Sequence, residues 1–126
     1  MNVIDSSGWL EYFAKGGNSS FFAPAIKDTQ ALVVPTICLY EVYKRIVGQR
    51  DDDEEALAAI AWMATGQIID LDQEIALSAA ILSREHKLAM ADSIILATAQ
   101  AMDATLWTQD AHFAGLEGVK YIEKKK

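Results

Sequence analysis

Five short apolar runs rich in β-forming residues recur along the chain, and the first four are separated by helical patterns. No other feature restricts the fold as strongly. The runs are Val3-Ile4 and residues 31–34, 67–69, 105–107 and 119–122. They lack the apolar/polar alternation of a strand with one wet face, so they are expected to be covered on both sides. The helical patterns fall at residues 7–14, 21–29, 36–47, 54–64, 72–87 and 91–102. Strands separated by helices require crossover connections. This predicts an α/β sandwich whose central, mainly parallel sheet of about five strands is flanked by helices. In open sheets of this kind the ligand site lies beyond the carboxyl ends of the strands.

A chain of 126 residues is expected to be a single domain, residues 1–126, and its 52% hydrophobic content excludes a disordered protein. Gly16-Gly17-Asn18-Ser19-Ser20 reads as a loop between helices, and the acid run at residues 51–55 as a solvated helix start. The basic end, residues 123–126, is expected to fray. One cysteine, Cys38, allows no internal disulfide. With only His86 and His112 beside it there is no zinc set, so any metal must be held by oxygen. The longest apolar run, residues 56–64, is far short of the about 20 residues a membrane span needs. The first residues lack the features of a secretory signal. The expected compartment is the cytoplasm, with no membrane partner.

Asp plus Glu number 18 against 11 Lys plus Arg, a net charge of −7, which by itself argues against a nucleic-acid partner. The placement of the acids qualifies that count. Asp5 follows the first strand directly, ahead of Ser6-Ser7, a pair able to cap the next helix. It is either part of that cap or a carboxylate at the top of the sheet. Asp110 stands in the same relation to the strand ending at Trp107 and has a turn or cap role as its alternative. Asp92 opens a nearly all-apolar helix, either to satisfy free backbone N–H groups or to face a cleft. Glu41 lies opposite the apolar face formed by Cys38, Leu39, Val42, Tyr43 and Ile46, and is either paired with Arg45 one turn on or part of a site. Four converging carboxylates repel unless cations neutralise them, and Mg2+ or Mn2+ is the matching hard ion.

The ordered set Val3-Ile4-Asp5-Ser6-Ser7, Glu41-Val42, Ala91-Asp92-Ser93-Ile94-Ile95-Leu96-Ala97-Thr98-Ala99 and Leu106-Trp107-Thr108-Gln109-Asp110-Ala111-His112-Phe113 resembles the PIN-domain ribonucleases. More narrowly it resembles the VapC-type toxins of toxin–antitoxin pairs, with the match spanning the chain. The resemblance implies a PIN-like three-layer sandwich and Mg2+- or Mn2+-dependent endonucleolytic cleavage of RNA by a metal-activated water, without a covalent intermediate. Position by position, Asp5, Glu41, Asp92 and Asp110 match the family's acidic quartet, with Asp5 and Asp92 as direct metal ligands. Ser6 and Thr108 match hydroxyls that contact those acids or the phosphate. Many relatives carry a further acid where this chain has His112, which is either a structural turn residue or a group touching RNA or moving a proton.

The resemblance also implies a VapB-like antitoxin and a homodimer. Trp9, Tyr12, Phe13, Phe21 and Phe22 crowd together near the start of the chain, either as a satellite core or as a groove for such a partner's apolar segment. Lys15, Lys44, Arg45, Arg50, Arg84, Lys87 and residues 124–126 are the candidate RNA contacts, or simply solubilising charges. Divalent ions would reverse the local sign where phosphate approaches, so the acidic balance excludes metal-free RNA binding rather than RNA. Three other functions compete. A haloacid-dehalogenase-type phosphotransferase needs a second Asp where Ser7 stands. A non-catalytic interaction domain leaves the four acids as caps, and a housekeeping PIN nuclease would act without an antitoxin.

Overall fold

The computed structural model describes residues 1–125; of the basic end, Lys126 lies outside the described residues. The strands are β1 (Asn2–Ile4), β2 (Leu32–Pro35), β3 (Gln67–Ile69), β4 (Thr105–Thr108) and β5 (Val119–Tyr121). Helices α1 (Ser6–Phe13) and α2 (Ser19–Lys27) lie between β1 and β2, and α3 (Thr36–Arg50) and α4 (Asp53–Met63) between β2 and β3. Helices α5 (Gln73–His86) and α6 (Met90–Ala101) connect β3 to β4, and short 3-10 turns occupy Thr29–Ala31 and Ala111–Phe113.

All four strand pairings are parallel, in the order β3-β2-β1-β4-β5. The chain lays strands outward from β1 on one side, then returns through α5 and α6 to place β4 on the other. The strand order therefore reverses between β1 and β4, where a crevice is expected at the carboxyl ends. The α/β sandwich read from the sequence is present, with one correction. Strands β1 and β2 are covered on both faces, with Val3, Ile4, Leu32, Val33 and Val34 buried, whereas Gln67 and Ile68 of the edge strand β3 are exposed.

Capping explains several helix boundaries. Asp52 accepts from Glu55 N to start α4, and Asp72 accepts from Ile75 N to start α5. Asp53, Glu54 and Glu55 fill the first turn of α4, as expected for the acid run, while Asp51 ends α3 in the left-handed region (φ 49°). The segment taken as a loop is only partly one: Ser19 and Ser20 belong to α2, and Asn18 is buried. The N-terminal aromatics are not a satellite. Trp9 and Phe22 are fully buried in the main core, and Phe21 packs on Trp107 of β4 with ring centroids 5.2 Å apart. No helix among the described residues is long and apolar enough to cross a membrane.

Candidate active site

The register Ile4↔Trp107 sets the ends of β1 and β4 side by side, so Asp5 and Thr108 meet at the edge of the crevice. Asp5 N donates to Trp107 O (3.1 Å), and Thr108 Oγ1 donates to Asp5 Oδ2 (2.7 Å). Asp5 Oδ1 accepts from Gly8 N (2.9 Å), so Asp5 itself caps α1; Ser6 and Ser7, expected as the cap, are the first two residues of that helix. Ser7 Oγ adds a hydrogen bond of 2.9 Å to the same carboxylate. The cap and the strand-end carboxylate are thus one group. Burial outweighs these hydrogen bonds, and repulsion from Asp110 adds to it, so the Asp5 pKa rises to about 6.

Asp92 stands in the first turn of α6, where residues 93–99 are all buried. Among the described residues it accepts no hydrogen bond, so it does not serve as the backbone cap that the sequence allowed. Its pKa is likewise raised to about 6, by desolvation first and then by the negative charges of Asp110 and Glu41. Glu41 Oε1 accepts from Ser6 Oγ at 2.7 Å, which turns it from α3 toward the start of α1 in place of the alternative pairing with Arg45. Asp110 Oδ1 accepts from His112 N (2.9 Å), capping the 3-10 turn, while Asp110 N donates to Thr108 Oγ1 (2.9 Å). Thr108 thereby ties the two strand-end acids together.

Asp5, Glu41, Asp92 and Asp110 all line one cleft of about 790 Å³. Ligand atoms of Asp92 and Asp110 in this cleft and of the exposed His112 beside them lie within 4.8 Å of one another. Two carboxylates and an imidazole form a donor set that suits a divalent cation. Asp5 lies outside this closest group, with both oxygens engaged by hydroxyl or amide donors. His112 stands in the group with Nδ1 3.0 Å from Asp110 Oδ1, so the candidate donor set includes a nitrogen and departs from the oxygen-only expectation. Of the basic residues considered, Lys44, Arg45, Arg50 and Lys124 line the cleft, and Arg50 is paired with Glu55 at 3.0 Å.

Ser7, Asn18 and Gln109 complete the surroundings, and sequence reasoning missed all three because the pairings that define them are spatial. Cys38 is a fully buried core residue whose thiol is pushed far up by burial, as its apolar helix face suggested. Beside the acidic cleft, Leu39, Tyr40, Tyr43, Val47 and Ile60 of α3 and α4 line a second, apolar groove of about 610 Å³.

A parallel sheet that switches direction at β1, with strand-end acids gathered in the crevice, defines the class: an α/β domain with a nuclease-like acidic site. The PIN domain family model matches residues 3–119, and the chain belongs to that family. Among solved structures it is similar to a toxin–antitoxin complex from Klebsiella pneumoniae, at 26% identity over 95% of this chain and 96% of that one, with a TM-score of 0.77. It shares its fold with VapC20 of Mycobacterium tuberculosis, a Sarcin-Ricin loop cleaving toxin (14% identity, 95% and 99% covered, TM-score 0.77). The same holds for VapBC-1 of nontypeable Haemophilus influenzae (17% identity, 97% and 96% covered, TM-score 0.71). No curated protein matches the chain in sequence.

Proposed function

We propose that this protein is a Mg2+- or Mn2+-dependent endoribonuclease acting as the toxin of a VapBC-type pair in the cytoplasm. The observation that carries this is the gathering of Asp5, Glu41, Asp92 and Asp110 in one cleft at the strand-order switch of a PIN domain. Asp92 and Asp110, with His112, are the groups that would hold the cation, and Asp5 and Glu41 face the same space. When bound, a divalent ion supplies Lewis acidity toward the phosphodiester and an acidified water for in-line attack. The protein's own part is placement. Thr108 holds Asp5 and Asp110 in fixed relation, Ser6 turns Glu41 inward, and Lys44 and Arg45 on the rim meet the phosphates of an approaching strand.

The apolar groove between α3 and α4 opens beside this cleft and shares Tyr40, Lys44 and Gly48 with it. It suits an amphipathic antitoxin segment, whose basic side chain would then reach the carboxylates. Exposed Leu57, Trp62, Leu77 and Ile81 supply apolar area for a homodimer. The test is cleavage of a structured RNA with Mg2+ or Mn2+. Activity disappears with EDTA and in Asp92→Asn and Asp5→Asn, and is silenced by the product of a small adjacent reading frame. Folded variants that cut as fast as the parent would overturn the site. Cleavage with no silencing partner would leave a housekeeping nuclease.

A further inference from the structure

The register Thr108↔Tyr121 between β4 and β5 continues past the sheet, where Ile122 N donates to Thr108 O at 3.0 Å. Residues 122–124 therefore run alongside Gln109, the residue between Thr108 and Asp110. Asn18, only 1% exposed, joins the two segments. Its Nδ2 donates to Glu123 O (3.0 Å) and to Gln109 Oε1 (3.0 Å). A backbone carbonyl only accepts, so Glu123 O fixes which end of the Asn18 amide points this way. Gln109 must then turn its own oxygen to Asn18, which leaves its Nε2 as a donor. Gln109 lines the cleft with Asp5 and Asp110, it is 5% exposed, and among the described residues its Nε2 has no hydrogen-bond partner. A cation stands near it: Lys124 lines the same cleft, and the stem of Lys125 lies against Gly17, where an added Cβ would come within 2.9 Å of Lys125 Cδ.

We propose that Gln109 and Lys124 form a nucleotide subsite beside the carboxylates, with the Gln109 amide donating to the RNA backbone or base and the Lys124 ammonium pairing a phosphate. Asn18 is the positioning residue that orients both. This rests on the endoribonuclease assignment and adds to it the side of the cleft along which the strand runs.

The test uses the full chain and a short fluorescein-labelled oligoribonucleotide, with binding measured in an Asp92→Asn background and cleavage in the parent. Gln109→Leu is expected to weaken binding about 5-fold, the equivalent of one hydrogen bond, and to raise KM by a similar factor with kcat little changed. Gln109→Glu keeps the oxygen that Asn18 needs, yet faces phosphate with a carboxylate, so it weakens binding more than Gln109→Leu does. A purely structural Gln109 would tolerate Glu. Lys124→Ala lowers the slope of log affinity against log salt by about 1. Asn18→Ala, checked for folding by its thermal transition, adds little to Gln109→Leu, because the two changes remove one arrangement. Unchanged binding and KM in Gln109→Glu and Lys124→Ala, with the parent cutting RNA, would overturn the subsite alone. A parent that neither binds nor cuts RNA would remove the nuclease assignment and the subsite with it.

Discussion

Asp5 serves two ends that pull against each other. As a cap it satisfies the start of α1, and as a carboxylate only 2% exposed it carries a charge the fold barely solvates. Asp5 and Asp92 titrate near 6 instead of 3.8. The folded state thus holds these protons more tightly than the unfolded chain does. Metal-free stability should fall as pH rises between 3.8 and about 6, and stay reduced above that window. Asp5→Asn keeps an oxygen for Gly8 N and removes the charge. At pH 8 without metal it should raise stability by about 1–2 kcal/mol, or roughly 3–6 °C in Tm, while abolishing cleavage. Thermal melts of parent and variant at pH 4 and pH 8 check this; an Asn variant less stable than the parent at pH 8 would show that the carboxylate's hydrogen bonds outweigh its desolvation. At this scale the sequence was informative where chemistry is local. Asp5 and Asp110 announced themselves as acids directly after strands. The turning of Glu41 toward Ser6 and the pairing of Asn18 with Gln109 were not legible, since those contacts join residues 35 and 91 positions apart.

Helix α1 is held close to the sheet because Gly8 has no side chain. A Cβ there would lie 2.7 Å from Ile4 Cγ2 and 2.7 Å from Phe22 Cε1, so the glycine allows β1, α1 and α2 to meet. Gly8→Ala should destabilise the protein by about 1–3 kcal/mol through overpacking, read as a lower denaturation midpoint. It should also depress activity, because α1 carries Ser6 and Ser7 against Glu41 and Asp5. Equal stability in the variant would mean that α1 can shift outward freely. Helix and strand types were readable from periodicity, and ends were readable where a cap marked them, as at Asp72. The start of α2 was not: Ser19-Ser20 has turn chemistry, and only the tertiary burial of Asn18 and Phe22 makes it a helix entrance. Nor did apolar runs distinguish inner from edge strands, because strand order depends on crossovers rather than on composition.

For the whole molecule, the net charge of −7 combines groups with different consequences. Asp52 to Glu55 serve the start of α4, while the quartet concentrates negative charge in the cleft that Lys44, Arg45 and Lys124 border. RNA should bind weakly with EDTA present and at least about 10-fold more tightly in Mg2+ for the parent protein, since the cation cancels repulsion at the contact itself. Filter binding on ice with a cleavage-resistant oligonucleotide measures this; equal affinity in EDTA would place the RNA surface away from the acids.

The strand order has a consequence in time. β4 enters the sheet beside β1 only after six helices and the strands β2 and β3 have been laid down, and Asp5 receives its Thr108 partner from 103 residues further along. An emerging chain that has released β1, α3 and even α6 from the ribosome still lacks β4 and the Asp110 that follows it. A partly synthesised copy that carries Asp5, Glu41 and Asp92 still has an incomplete cleft, and the order of synthesis makes Asp110 the last of the four acids to arrive.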